Sequence, residues 1–341
     1  MPVRIQQILF GLCLIGFIQT GHTLPESKDP LAFDDRPLAE AIELPDWFKL
    51  SFLDLRDSLM EASQSGKRGL IVYFHRHDCA YCDAQIKVNW NSEDIIQYTR
   101  KNFDVIAIDV RGQRNVTDFN GRIYTEKEYA VLMKTDFTPS LLIYNTQGKL
   151  ALHLPGFRPP YQFRAALEYA ADKHYQRESF ANYLERAEAA MSFGQEELNE
   201  NDAFISPPYN FDRSSLPGKT PLVIFFEHPR CHACDVLHAG PLSDVEVNTF
   251  LRNLDTAQLD THSDTPVITP DGKKTTARKW AHQLGLSFAP TLLFFDEHGN
   301  EIIRVDSVIR LYRLKNILAY VLSKGYQRYP TFQIWQQNII R

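Results

Sequence analysis

Apolar residues in this chain fall into two recurring patterns. One is the short unbroken run: Ile71-Val72-Tyr73-Phe74 and Val223-Ile224-Phe225-Phe226 have strand length and no polar alternation, the signature of strands buried on both faces. The other is the longer stretch with apolar positions three and four apart, the signature of an amphipathic helix. In the first half, residues 70–74 read as a strand, and a helix opens near position 79 and continues, with a kink, through 92–101. Residues 104–110 read as the next strand. Thr125-Glu126-Lys127-Glu128 has the form of a capping box, so a helix begins there and runs to about 134. A strand at 140–144, a turn at 145–148 and a hairpin partner at 150–154 follow, and residues 161–173 close the unit as a helix. Alternation of strands and helices predicts an α/β sheet.

The second half repeats this order. Cys231 lies 152 residues after Cys79, and further on the offset is 151, so one residue is missing from the second copy. Phe137-Thr138-Pro139-Ser140-Leu141-Leu142 falls on Phe288-Ala289-Pro290-Thr291-Leu292-Leu293, and Leu167, Tyr169, Lys173 and Tyr175 fall on Leu318, Tyr320, Lys324 and Tyr326. Ser243-Asp244-Val245-Glu246 reads as the second copy's own capping box. The expected organisation is a first domain over residues 45–178, a helical segment and linker over 179–219, and a second domain over 220–330. Phe180, Tyr183, Leu184, Ala187 and Met191 are spaced to pack a helix on the first domain. Pro207, Pro208, Pro217 and Gly218 mark the linker.

Composition changes this picture little. With 341 residues, two cores are expected rather than one. The 44% hydrophobic and 23% charged residues are ordinary for a globular chain, and a net charge of −5 with no dense basic run argues against a nucleic-acid partner. The N-terminus is different. Arg4 precedes an apolar run from Ile8 to Ile18, which suits the core of a secretory signal peptide over residues 1–23; an uncleaved membrane anchor is the alternative. Export to the periplasm is the expectation.

Five cysteines are present, and Cys13 lies inside that leader. The other four form two Cys-x-x-Cys pairs, Cys79/Cys82 and Cys231/Cys234. Disulfides that stabilise exported proteins close long loops, whereas such short loops gain little, so a chemical role is favoured. A cysteine on the first turn of a helix sits where backbone N–H groups and the helix dipole favour a thiolate, and the thiolate is the nucleophile. The second sulfur, on the same helical face, resolves the mixed disulfide. Cys79 and Cys231 are therefore the expected attacking sulfurs, Cys82 and Cys234 the resolving ones. Pro139 and Pro290, each at the entry of an apolar strand, are expected as cis-prolines beside the sulfurs, leaving the backbone of Thr138 and Ala289 to pair with an extended substrate.

The strand, Cys-x-x-Cys, helix and later Thr-Pro or Ala-Pro resemble the thioredoxin superfamily. The first copy resembles periplasmic thioredoxin-like proteins of the SoxW type and disulfide-isomerase catalytic domains. Residues 74–82, 125–144 and Leu154-Pro155-Gly156-Phe157-Arg158-Pro159-Pro160 carry that likeness. The resemblance implies two tandem thioredoxin-like domains, thiol–disulfide exchange on exported protein substrates, no bound cofactor, and a membrane or periplasmic redox partner. Departures are the pairs Ala80-Tyr81 and His232-Ala233, Asp78 and Arg230 before the cysteines, and Tyr73 and Phe225 where the family has a buried acid; proton transfer then needs water or another group. The second copy has Asp306-Ser307-Val308 in place of the Pro-Gly-Phe stretch.

Three histidine readings remain. His232, between the second pair, is either an exposed turn residue or a stabiliser that makes Cys231 the more acidic attacking thiol. His75 and His77 are expected as solvated loop residues. His228, Cys231, Cys234 and His238 are a candidate copper or zinc cluster, the competing function. A second domain that only recruits substrate is a third possibility.

Overall fold

The computed structural model describes residues 29–188 and 197–339. The expected leader at 1–23, and Met191 of the segment after the first domain, lie outside the described residues. The elements are α1 (Leu55–Gln64), β1 (Gly69–His75), α2 (Ala80–Ala84), α3 (Glu93–Asn102), β2 (Phe103–Asp109), β3 (Asn115–Thr117), β4 (Ile123–Thr125), α4 (Glu126–Leu132), β5 (Ser140–Asn145), β6 (Leu150–Pro155), α5 (Pro160–Ala171) and α6 (Phe180–Glu188). There follow β7 (Tyr209–Asn210), β8 (Leu222–Glu227), α7 (His232–Ala239), α8 (Val245–Leu251), β9 (Asp255–Asp260), β10 (Pro266–Ile268), β11 (Lys274–Thr276), α9 (Ala277–Gln283), β12 (Thr291–Phe295), β13 (Glu301–Val305), α10 (Leu311–Leu322) and α11 (Phe332–Ile339).

Each half is built on a four-stranded mixed sheet, β2-β1-β5-β6 in the first and β9-β8-β12-β13 in the second. The central strands are buried at every position, as their unbroken apolar runs require. The duplication extends to register. Tyr73 pairs with Leu141 and Ala107 in the first sheet, and Phe225 pairs with Leu292 and Gln258 in the second. Those positions keep the offsets of 152 and 151, so the missing residue falls between the central strand and its parallel neighbour.

Helix starts follow their local chemistry. Thr125 caps α4 with both bonds of the expected capping box. In the second copy Ser243 ends a short 3₁₀ turn instead, and Asp244 alone caps α8. The kink after the first cysteine motif is a π-helical turn at Gln85–Asn89.

Residues beyond 208 are not linker. Tyr209–Asn210 pairs in parallel with β10, and Phe211 and Arg213 donate backbone bonds to Ile268 and Pro270. The buried Arg213 guanidinium spans Thr220 O, Asp296 O and Asp255. Proline-rich composition signals irregular backbone, but here that backbone is stitched into the second domain. Phe180 and Leu184 of α6 do pack on the first domain's core.

The two domains meet face to face. Phe137, before Thr138, is buried in the second domain's core, and Phe288, before Ala289, is buried in the first domain's core. Val308 donates its N–H to Phe157 O. Gly156, at φ +71°, lies so close to Ser307 that a Cβ there would stand 2.1 Å from the Ser307 hydroxyl.

Candidate redox site

Cys79 and Cys231 are the N-caps of α2 and α7, both with extended backbone. Each is disulfide-bonded to the cysteine three residues on, with Cα atoms 5.1 and 5.2 Å apart. The resolving residue's backbone N–H points at the leading sulfur, Cys82 N to Cys79 Sγ at 3.0 Å and Cys234 N to Cys231 Sγ at 3.1 Å. That donor is one of the N–H groups a helix start leaves unpaired, and it stabilises negative charge on the leading sulfur.

The Thr138–Pro139 and Ala289–Pro290 peptide bonds are cis. They bring Thr138 O to 3.6 Å from Cys79 Sγ, with the Thr138 hydroxyl at 3.3 Å, and Ala289 O to 3.3 Å from Cys231 Sγ. Residues far apart in sequence thus converge on the leading sulfur in both domains.

Neither sulfur is open to solvent. Cys79 is 2% and Cys231 6% exposed. Beside Cys79 remains a cavity of about 20 Å³, which admits about one water and not a peptide. Its far wall is built by the start of α10 and by Phe332, Gln333 and Gln336 of α11, from the other domain. Arg313 donates Nη2 to Thr138 O at 2.8 Å, the oxygen that also faces Cys79. Asp35, in the extended N-terminal segment, accepts the Tyr81 hydroxyl and the backbone N–H groups of Tyr312 and Arg313, each at 2.8 Å. The Tyr81 hydroxyl accepts Arg310 N at 2.7 Å. Burial holds Tyr81 in its neutral phenol form, pushing its pKa well above the ordinary value.

Asp78, before the first cysteine, pairs with Arg76 and Arg111. Burial works against its charge, yet the two guanidiniums outweigh that and hold its carboxyl below the ordinary range. Burial pushes Asp136, on the same cavity, up to about 6 against the weaker pull of Lys134.

The histidines depart from expectation in part. His75 is the last residue of β1 and is buried, because the strand runs one residue past the apolar run; His77 is exposed. His232 is solvent-exposed and sits 2.9 Å from Asp29. The competing candidate cluster of His228, Cys231, Cys234 and His238 is not assembled among the described residues. His238 Nε2 lies 3.1 Å from both oxygens of the buried Glu227, and the His228 ring stacks on His262. Among the described residues no three His, Cys, Asp or Glu side chains are arranged to hold a metal ion.

A family profile described as a thioredoxin-like domain matches twice, over residues 55–171 and 211–322. The chain belongs to the thioredoxin-like family. Its two domains are tandem copies of that unit, each with a disulfide-forming Cys-x-x-Cys pair. A thioredoxin-fold protein from Helicobacter pylori aligns with 36% of this chain and 82% of its own length, at 23% identity and a TM-score of 0.31. A thioredoxin from Thermus thermophilus aligns with 34% and 82%, at 21% identity and 0.28. The C-terminal domain of Neisseria meningitidis DsbD, in reduced form, aligns with 34% and 93%, at 15% and 0.26. A comparison with curated proteins returned no match.

Sequence reasoning missed Asp35, Glu227 and Arg313. Glu227 ends β8 just past the apolar run and lies on the same strand face as Phe225, where the family's acid was sought. Asp35 and Arg313 carry no local signal, since their meaning comes only from domain docking.

Proposed function

We propose that this thioredoxin-like protein is an exported thiol–disulfide oxidoreductase that exchanges dithiol for disulfide with protein substrates. The observation that carries the proposal is the doubled constellation: a leading sulfur at a helix start, its partner one turn on, and a cis-proline carbonyl beside it. In the reductive direction the Cys79 thiolate attacks a substrate disulfide and releases one substrate thiolate. The Cys82 thiolate then attacks Cys79 Sγ, releasing the second substrate sulfur and closing the pair; the substrate gains two electrons and the pair loses two. Cys231 and Cys234 repeat the step. Thr138 and Pro139, and Ala289 and Pro290, serve as the backbone platform for an extended substrate.

The N-terminal apolar run supports export to the periplasm, and a membrane or periplasmic redox protein is the proposed partner that resets the pairs. Thr138 O is already taken by Arg313, so a protein substrate reaches Cys79 only when the start of α10 moves away.

Reduction of insulin disulfides by dithiothreitol, followed by turbidity with the mature full-length chain, tests the proposal. Acceleration is expected for the wild type, and its loss is expected when Cys79 and Cys231 are both changed to Ser. A wild-type rate equal to the uncatalysed one would contradict it. Changing Cys231 and Cys234 together separates a catalytic second domain from one that only recruits substrate.

A further inference from the structure

We propose that Arg313, carried by the second domain, is a positioning residue for the first redox centre, its guanidinium serving as the counter-ion of the Cys79 thiolate. On the exchange reading above, that thiolate appears when a dithiol reduces the Cys79–Cys82 bond. The dithiol's sulfurs become joined, two electrons pass to the pair, one proton remains on Cys82 and the other goes to solvent. Arg313 is set for this charge from several sides. The Tyr312 and Arg313 N–H groups are fixed on Asp35, its Cζ lies 3.4 Å from the Tyr81 ring centre and 5.2 Å from that of Phe137, and Nη2 is bonded to Thr138 O. Nη2 and Cys79 Sγ contact the same oxygen, at 2.8 and 3.6 Å, so they stand no more than about 6.4 Å apart, near the range where opposite charges shift a pKa by about 1–3 units.

The guanidinium is buried, 8% exposed, and forms no ion pair among the described residues, while Nη1 has no hydrogen-bond partner. Burial lowers the pKa of this cation, and the nearby Tyr81 and Asp35 offset only part of that cost. The thiolate formed on reduction adds an anion on the Thr138 side of this cation. Among the described residues, no other charged or titratable group around the cavity forms a direct ion pair with Arg313. Arg76 is paired with Asp78, the Asp35 carboxylate accepts from three neutral donors and also acts on Arg313, Tyr81 and Tyr312 carry phenols, and burial pushes Asp136 up to about 6. By linkage, the reduced first centre then favours the docked arrangement of the domains.

The test uses the full-length chain reduced with dithiothreitol, alkylated with iodoacetamide across a pH series, with Cys79 and Cys231 read separately by peptide mass. Arg313→Met is expected to raise the Cys79 midpoint by about one unit or more, with Arg313→Lys falling between, and to leave the Cys231 midpoint in place. The equilibrium of the first pair with dithiothreitol is expected to move about tenfold towards disulfide. Arg313→Gln replaces the Met variant if the latter does not fold. An unchanged Cys79 midpoint in the neutral variants, or equal movement at both cysteines, overturns the proposal. Insulin reduction is scored separately: a shifted midpoint without turnover would count against the exchange reading alone.

Discussion

At the scale of single residues, charge and burial decide more than motif. His232 stands beside Cys231, where sequence logic expects an acidifying imidazole, but it faces solvent and the carboxylate of Asp29, where its field is screened. The buried cation lies instead at Cys79 and comes from the other domain. Asp136 shows the same rule with opposite sign. Its carboxyl is raised from 3.8 to about 6 by burial, so the folded state prefers the protonated form. Stability is therefore lost as pH rises from about 4 through 6, and Asp136→Asn removes that slope. Thermal unfolding across this range is expected to show no difference at pH 3.5. Above pH 6.5 a gain for the variant of about 1–2 kcal/mol is expected, discounted for partial exposure. Cysteines and prolines were legible because their chemistry is local in sequence. Arg313 and Asp35 were not, because an arginine in an amphipathic helix and an aspartate in an extended segment read as surface residues.

At the scale of elements, the apolar runs gave β1 and β8 within one or two residues, since burial on both faces leaves an unbroken signal. Ends were less legible. β1 continues to the buried His75, and the helix after Cys79 passes through a π turn that no residue announces. Capping chemistry was read correctly where two side chains reciprocate and misplaced where one carboxylate suffices, as at Asp244. Thr125→Ala is expected to cost about 1 kcal/mol in denaturant unfolding by leaving the Glu128 N–H without its side-chain acceptor. Ser243→Ala, which leaves the Asp244 bonds to Glu246 and Val247 intact, is expected to cost measurably less.

At the scale of the whole molecule, duplication was legible and docking was not. Repeated spacing specifies two copies of one fold, but nothing in a single sequence records which face of each copy meets the other. The exchange of Phe137 and Phe288 between cores places both redox centres against the interface. Phe288→Ala removes a buried ring worth about 3–5 kcal/mol and loosens that contact. Alkylation of the reduced chain is then expected to accelerate severalfold at both Cys79 and Cys231, with any displacement of the pH midpoint confined to Cys79. Unchanged rates would mean that the interface does not guard the sulfurs.

The most direct test of exchange chemistry is to trap its intermediate. Removing the resolving sulfurs by Cys82→Ser and Cys234→Ser leaves no route for releasing a substrate held on Cys79 or Cys231. Incubation of the reduced variant with a disulfide-bonded protein is expected to give a covalent adduct through Cys79 or Cys231, lost on adding dithiothreitol. Free, reduced Cys79 and Cys231 that yield no adduct under these conditions would contradict thiol–disulfide exchange as the work of this protein.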